Sequence, residues 1–386
     1  MSKTYVSYNN IFSSLGSTSA AVVDAIEQEK SGLSKIDNSA ILPDPFYASI
    51  VKDGVLFNAF AEILTTQNHT KLEKMMILSV QDVLAQSDIS LTEKTGLIIS
   101  TTKGNIDVLE KGSEFPESRS YLASLGTVLK DHFGFKTEPI VVSNACVSGV
   151  LAIAVAKRYI DAGRFDDVIV TSGDLVTQFI LSGFNSFQAL SKEPCKPYDT
   201  NRTGINIGEV AASVLVTKKT ENLASEAVTI LGDSSCNDAN HISGPSRTGE
   251  GLYRSIKNAL QEAKLDAIAI DFISAHGTAT SFNDEMESIA LNRIGLSETP
   301  VNSLKGYFGH TLGASGLLET VVGMHSLHRN KLYASLGFET LGVSKPMNII
   351  KKTTAKTLNT FLKTASGFGG CNTAVVFKKY NPTNNQ

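Results

Sequence analysis

Cysteine and clustered charge are both scarce in this sequence. Its four cysteines among 386 residues have no close pairing, so they form neither a disulfide framework nor the ligand spacing of a zinc site. The formal net charge is −3, and the lack of a basic run argues against a nucleic-acid partner. These absences are typical of a protein from a reducing compartment, and we expect a cytoplasmic location.

Long apolar stretches are missing as well. The N-terminus lacks the basic-then-apolar pattern of a secretory signal. The apolar run 147–156 is too short to span a bilayer and continues into Lys157 and Arg158. We therefore expect no membrane span, although loose membrane association stays open. With 42% hydrophobic and 19% charged residues, the composition is that of an ordinary globular protein.

Strand-like and helix-like segments alternate through most of the chain, which predicts an α/β fold with parallel sheets covered by helices. Two stretches, starting at Pro139 and Pro300, share one pattern: a short strand, a small-residue turn with a reactive polar group, and a buried helix. This repetition predicts two related αβ halves, residues 1–222 and 223–386. Predicted strands cover 95–100, 139–143, 168–171, 212–217, 228–232, 269–274, 357–365 and 372–379, and predicted helices cover 20–30, 69–85, 119–133, 147–162, 249–264, 284–294 and 314–330.

Cys146 lies at the junction of the predicted strand 139–143 and the predicted helix 147–162. The dipole and the unpaired N–H groups at a helix start favour negative charge, so a cysteine there is biased toward its reactive thiolate. A buried structural cysteine explains this segment equally well when it is considered alone. The choice between a reactive and a structural cysteine therefore depends on residues further along the chain.

A second polar cluster follows the predicted strand 269–274. His276 stands at the carboxyl end of this strand, where α/β folds place their sites, yet a hydrogen-bonded core histidine fits the same pattern. Thr278 and Thr280, two apart in an extended loop, can point their hydroxyls the same way toward a ligand. Asp284 also fits the simpler role of a carboxylate in the first turn of a helix.

Glycines surround Lys305 and His310 in a third cluster and allow close backbone approach around these polar groups. A lysine among so many apolar residues is costly without a partner, and Glu319 on the following helix is a candidate. Considered alone, Lys305 fits a surface charge equally well. A fourth cluster, 365–372, places three glycines and Phe368 between two strands, which fits either a tight hairpin or a mobile lid over a pocket.

The order of these clusters is far more specific than any one of them. The cysteine, the first histidine, the Lys-x4-His pair and the Gly-Phe-Gly-Gly loop each follow a predicted strand. In this order the chain resembles the β-ketoacyl-acyl-carrier-protein synthases, in particular the elongating Cys-His-His branch of the thiolase superfamily. The resemblance runs from about residue 95 to residue 379 and includes the segments 187–191, 197–209 and 237–245. It implies a thiolase-like fold with a layered α-β-α-β-α architecture.

The resemblance also implies a role for each matching residue. Cys146 would take the acyl chain from the phosphopantetheine thioester of a carrier protein, with the N–H groups of Cys146 and Phe368 as oxyanion hole. His276 and His310 would hydrogen-bond the malonyl thioester carbonyl and stabilise the enolate left by loss of CO2, which then attacks the acyl thioester. The remaining assignments are Lys305 and Glu319 as an orienting ion pair, Asp284 and Glu287 as supporting acids, Thr278 and Thr280 as pantetheine ligands, Gly367, Gly369 and Gly370 as gate and oxyanion loop, and Arg202 as a carrier-protein contact.

Cofactors and partners follow from the same resemblance. It implies no bound cofactor, because phosphopantetheine arrives on the acyl carrier protein, and no metal, because the clusters lack a defensible ligand geometry. It also implies either a homodimer or a heterodimer with a related ketosynthase-like subunit. Extension of fatty-acid, polyketide and aryl-polyene chains by two carbons would use the same clusters, so the pathway stays open.

The chain departs from the family pattern in three places. The first 90 residues match poorly, and the usual opening strand and its turn are replaced by the segment that starts at Tyr5. Ser366 replaces the first phenylalanine of the gate loop, and Cys371 stands where threonine is usual.

Two alternatives to a condensing enzyme remain. One alternative is a non-catalytic partner subunit of the chain-length-factor type, which usually lacks the nucleophile. The other is a degradative thiolase, in which a second reactive cysteine would precede the glycine-rich turn.

Overall fold

The computed structural model describes residues 3–39, 41–238, 240 and 244–382, so residues 239 and 241–243 of the resembling segment 237–245 lie outside the described residues. The strands within these ranges are β1 Thr4–Ser13, β2 Ser34–Ile36, β3 Phe46–Ser49, β4 Thr95–Ser100, β5 Ile140–Val142, β6 Asp167–Asp174, β7 Ile207–Gly208, β8 Val210–Thr217, β9 Val228–Asn237, β10 Phe272–Ser274, β11 Pro300–Asn302, β12 Lys331–Leu332, β13 Asn348–Ile349, β14 Thr354–Ala355, β15 Thr360–Gly367 and β16 Cys371–Lys379. The helices are α1 Ser19–Glu27, α2 Asp53–Phe60, α3 Lys71–Ser87, α4 Leu122–Phe133, α5 Ser148–Asp161, α6 Gln178–Ser186, α7 Glu250–Ala263, α8 Ser281–Arg293, α9 Lys305–Phe308 and α10 Ser315–Arg329. Among the described residues, no helix is long and apolar enough to cross a membrane.

Eleven strands of the described chain form one continuous sheet, in the order β13-β11-β10-β15-β16-β9-β1-β8-β6-β4-β5. Read outward from the centre of the sheet, the strands of the first half are β1-β8-β6-β4-β5 and those of the second half are β9-β16-β15-β10-β11. Strands at equivalent positions have the same rank along the chain within their half and run in equivalent directions. In each half the first two pairings are antiparallel and the next two are parallel. This repeat supports the predicted division between residues 222 and 223, which falls in the loop between β8 and β9. The domain assignment itself stays a prediction.

Two buried helices form the middle layer of the fold. α5 and α10 pack against each other and against strands of both halves of the sheet. α10 is buried on every side from Ser315 to Leu327, because small and apolar residues alternate around its whole circumference. α3 and α4 cover the opposite face of the first half, and α7, backed by α8, covers that of the second half. The layers therefore follow the α-β-α-β-α arrangement that the family resemblance implies.

The first strand corrects the expectation for the N-terminal segment. The residues from Tyr5 onward do not replace an opening strand; they form one, and β1 is ten residues long. It pairs antiparallel with both β8 and β9 and thereby joins the two halves of the sheet. The strand lacks a simple apolar alternation because it contains Asn9 and Asn10. Their buried side chains donate hydrogen bonds to Glu226 at 2.9 Å and to Asp82 at 2.9 Å.

Two glycines let α5 and α10 approach closely at their N-terminal ends. A Cβ atom at Gly149 would lie 2.6 Å from the Leu317 nitrogen, and one at Gly316 would lie 2.5 Å from the Val150 nitrogen. Side-chain carbons essentially never approach backbone atoms this closely, so both positions require glycine. The contact brings the loops that precede the two helices to the same place.

We expect the substitution Gly149→Ala to destabilise the fold by about 1–3 kcal/mol, because the added methyl group would overlap the backbone of α10. The matched control is Gly54→Ala in α2, where no atom lies within 4 Å of the added carbon. Urea unfolding followed by circular dichroism measures both changes. Equal unfolding midpoints for the two variants would contradict the assigned helix contact.

Candidate active site

The ends of four strands bring the predicted clusters together. His276, Lys305 and Phe368 follow β10, β11 and β15, three adjacent parallel strands whose carboxyl ends lie at one edge of the sheet. Cys146 follows β5 of the other half and meets them through the contact between α5 and α10. The Cys146 sulfur and one ring nitrogen from each of His276 and His310 lie within 4.8 Å of one another. The structure therefore places the thiol and both imidazoles in one site.

Cys146 lies in a strained turn at the wall of a cavity. The preceding residue, Ala145, has a φ of +45°, a left-handed value that costs energy for a residue with a Cβ atom. The Phe368 N–H lies near the sulfur and lowers the pKa of the thiol. Cys146, His276 and His310 all line the same cavity of about 470 Å³. The turn thus exposes the thiol to a space where a substrate can enter.

Burial raises the pKa of the Cys146 thiol to about 12, and the neighbouring Cys371 also raises it. The Lys305 ammonium and the Phe368 N–H act in the opposite direction, but the loss of hydration is the larger effect. The expectation that the helix start favours the thiolate is therefore wrong for this site. Because the sulfur is protonated near neutral pH, it has to pass its proton to a neighbour when it attacks.

Of the two neighbouring histidines, His276 can accept that proton. Burial and the Lys305 ammonium hold the pKa of both His276 and His310 well below the usual value, so both imidazoles are neutral near pH 7. Their rings meet edge to face with centroids 5.1 Å apart. The Leu312 N–H donates to His310 Nδ1 at 3.2 Å, so the proton of that ring is on Nε2. A neutral His310 is therefore a hydrogen-bond donor at Nε2.

The Lys305 side chain is buried, which excludes the surface-charge interpretation. Its Nζ atom lies 2.6 Å from Glu319 Oε1, as the expected ion pair requires. A second buried lysine, Lys363 on β15, lies 2.7 Å from Glu319 Oε2. The sequence interpretation missed this residue, although one lysine inside an otherwise uncharged strand is a signal for a buried partner.

Two buried carboxylates of α8 hold the backbone around the first histidine. Glu287 accepts hydrogen bonds from the N–H groups of His276 at 2.9 Å and Gly277 at 2.7 Å. Asp284 accepts one from the Thr278 N–H at 2.9 Å. Burial raises the pKa of both carboxyl groups, that of Asp284 to about 7. Both acids therefore act through the loop that presents His276, and neither lines the cavity.

Thr278 and Thr280 both line the cavity, and their hydroxyl oxygens lie 2.8 Å apart. The residue between them, Ala279, has a left-handed φ of +61°, which turns the two side chains toward the same side. A pair of adjacent hydroxyls can hydrogen-bond the amide groups of a pantetheine arm. That assignment stays a prediction.

Phe368 covers the mouth of the cavity as part of an aromatic cluster. Its ring centroid lies 5.6 Å from that of Phe184 and 5.4 Å from that of Phe187. The side chain is 37% exposed, so it borders both the solvent and the cavity. This position of the Phe368 ring favours the interpretation of the loop as a lid over the interpretation as a tight hairpin.

Gly367, in the gate loop 366–370, lies directly against the nucleophile. A Cβ atom at Gly367 would lie 3.0 Å from the Cys146 nitrogen and 2.9 Å from Cys371 Sγ. Gly369 and Gly370 have φ values of +83° and +79°, which only glycine adopts without strain. The loop can therefore carry its backbone N–H groups close to the thiol.

The contacts of Arg202 within the chain are with two loops and with α8. Its Nη1 atom donates to the carbonyl oxygens of Asp199 at 2.9 Å and Gly342 at 2.7 Å. Its Nε atom lies 3.6 Å from Asp284 Oδ2, and only 9% of the side chain is exposed. The guanidinium group therefore connects two loops to α8, and its contact with a carrier protein stays a prediction.

The thiol and two neutral imidazoles, set at the strand ends of a thiolase-like fold, define an acyl-transferring condensing enzyme. Residues 70–222 match the β-ketoacyl synthase N-terminal domain, and residues 227–339 match the β-ketoacyl synthase C-terminal domain. The chain belongs to the β-ketoacyl synthase family and is an acyltransferase. The first 69 residues lie outside both domains, as expected from their divergence. The same thiol and ring nitrogens are close enough to hold a soft metal ion, so the expectation of no metal stays a prediction.

Named relatives and a solved structure agree with this family. The chain is 29% identical over 331 residues to the putative mitochondrial 3-oxoacyl-[acyl-carrier-protein] synthase of Schizosaccharomyces pombe, covering 76% of this chain and 77% of the relative. It is 32% identical over 256 residues to 3-oxoacyl-[acyl-carrier-protein] synthase 2 of Rhizobium meliloti, covering 62% and 60%. It also matches a chain of the Xenorhabdus doucetiae ketosynthase ApeO in complex with its chain length factor ApeC. That match has a TM-score of 0.85 over 98% of both chains at 23% identity, which shows the fold.

We expect the alkylation of Cys146 by iodoacetamide to keep accelerating with pH beyond pH 10, because burial raises the pKa of the thiol to about 12. Peptide mass spectrometry measures the rate at this residue, with Cys146→Ser as the assignment control and N-acetylcysteine as the unperturbed thiol. A rate that levels off near neutral pH would instead indicate a thiolate stabilised by a histidine or by the helix start.

Proposed function

We propose that the chain is an elongating ketosynthase, which condenses a malonyl unit on acyl carrier protein with an acyl chain held on Cys146. The observation that carries the proposal is the assembly of this thiol with His276 and His310 within 4.8 Å at one cavity. Membership of the β-ketoacyl synthase family supports the same reaction.

The first step transfers the acyl chain to the enzyme. The Cys146 sulfur attacks the acyl thioester carbonyl, and its proton passes to a neutral imidazole. The N–H groups of Cys146 and Phe368 stabilise the oxyanion that forms. When the carbonyl re-forms, the carbon–sulfur bond to the carrier breaks, and the carrier thiol leaves with the proton from the imidazole.

The second step forms the new carbon–carbon bond. The carbonyl oxygen of the malonyl thioester accepts hydrogen bonds from the Nε2–H of His310 and from a ring N–H of His276. The bond to the malonyl carboxylate breaks, CO2 leaves, and the bonding electrons form an enolate that these two donors stabilise. The enolate carbon attacks the acyl thioester of Cys146, which departs as a thiolate and regains a proton. The carrier then holds a β-ketoacyl chain that is two carbons longer.

The proposal includes a carrier protein as partner and phosphopantetheine as the arm that reaches the site. Thr278 and Thr280 line the cavity, where their hydroxyls can hydrogen-bond such an arm. The relatives above are named for acyl carrier protein, and the solved neighbour is a ketosynthase bound to a chain length factor. We therefore propose a dimer, either of identical chains or with a related subunit. All four cysteines are free thiols, which supports a cytoplasmic location.

The alternatives find less support in the same residues. A chain-length-factor-type subunit has no need for a nucleophile with two histidines around it. For a degradative thiolase, the second cysteine would precede the glycine-rich turn, but Cys371 follows Gly370.

We expect Cys146→Ala to abolish acyl transfer while the fold is kept, because the variant lacks the attacking sulfur but removes only this one heavy atom from a small buried side chain. Mass spectrometry after incubation with acyl-carrier-protein thioesters of several chain lengths detects the adduct, and circular dichroism checks the fold. A wild-type protein that forms no adduct but binds tightly to another synthase would favour the partner-subunit alternative.

We expect His310→Ala to slow the decarboxylation of malonyl-carrier protein by about 10²–10³-fold, because one donor to the enolate oxygen is lost. Acylation of Cys146 should be reduced less, since His276 can still accept the thiol proton. Parallel assays of released CO2 and of the acyl adduct separate the two steps. Equal losses in both assays would argue against distinct roles for the two histidines.

A further inference from the structure

Lys363 is completely buried, yet its side-chain nitrogen donates to three carbonyl oxygens, those of Ser274 at 3.0 Å, Ala275 at 3.5 Å and Thr364 at 2.6 Å. Glu319 Oε2 lies 2.7 Å from the same nitrogen as an ion-pair partner. Three hydrogen-bond acceptors match the three N–H groups of an ammonium ion, whereas a neutral amine has only two. Lys363 is therefore charged in this structure, although burial lowers its pKa.

The charge of Lys363 is not balanced within its own ion pair, and the other carboxylate that acts on it is the buried Glu287. Glu319 receives Lys305 on one carboxylate oxygen and Lys363 on the other, so this trio of side chains carries one net positive charge. A buried charge without its own counter-ion is costly. Such costs concentrate at functional sites, where they shift the pKa of a working group.

We propose that Lys363 is a positioning residue for the condensation reaction, which fixes the strand end that presents His276 and adds a positive charge near the two histidines. The carbonyl of Ser274 belongs to the last residue of β10, two residues before His276. The proposal rests on the proposed function, because it gives neutral imidazoles the tasks of accepting the thiol proton and donating from Nε2.

Charge repulsion is the physical link between Lys363 and the histidines. Burial is the largest cause of the low pKa of both His276 and His310, and the Lys305 and Lys363 ammonium groups add to it because a nearby cation disfavours a second one. Among the described residues, the charged and titratable groups in and next to this site are Cys146 before α5, Tyr198, Asp284 and Glu287 on α8, Lys305 on α9, Glu319 on α10, Lys363 on β15 and Cys371 on β16.

A series of variants changes the charge of the trio in known steps. Lys363→Met lowers its net charge from one to zero, Glu319→Gln raises it to two, and the double variant returns it to one. The readout is the pH profile of the rate of Cys146 acylation, whose acid limb reports protonation of the imidazoles. With Lys363→Met we expect this limb to move up by about one pH unit, and with Glu319→Gln to move down. The double variant should return to the wild-type position.

The control is Lys157→Met, which removes another buried lysine from an ion network with Asp233 and Glu262. It should lower the melting temperature and leave the acid limb unchanged. If Lys363→Met does not fold, Glu319→Gln alone still tests the charge of the trio, and an acid limb that stays at the wild-type position in this variant would contradict the proposal. An acid limb that is the same with and without this charge would overturn the proposal. A wild-type protein that is not acylated on Cys146 at any pH would instead overturn the proposed function.

Discussion

The close contact between α5 and α10 is the constraint on which the site depends. The nucleophile and the second histidine belong to different halves of the chain, and each precedes one of these two helices. Gly149 and Gly316 remove the side chains that would keep the helices apart. Chemistry at this site therefore depends on helix packing in the middle layer as much as on the reactive residues.

Burial has opposite consequences for the two kinds of reactive group. The same loss of hydration that raises the pKa of the Cys146 thiol lowers that of the His276 and His310 imidazoles. Both shifts favour neutral forms, so the resting site holds a thiol and two bases instead of an ion pair. Charge then appears only as the reaction proceeds, where fixed N–H groups and ammonium groups can stabilise it.

The sequence was sufficient for the features that local patterns encode. Cys146 and His276 could be found because each follows a recognisable strand, and their order along the chain identifies the family. β1 and Lys363 were missed because their environments are created by distant pairing: β1 contains two asparagines whose partners lie far along the chain, and Lys363 looks isolated until Glu319 is brought beside it. The pKa of the thiol was misjudged for the same reason, since burial is a property of the assembled fold.

β1 also has a consequence for how the chain reaches this fold. It is synthesised before both of its partners, and β8 of its own half can cover one of its edges. Its other edge stays open until β9 has been synthesised. An unpaired edge with buried-type residues is a template for pairing with other chains. Pairing with β9 therefore closes an edge of the first half to which another chain could otherwise add.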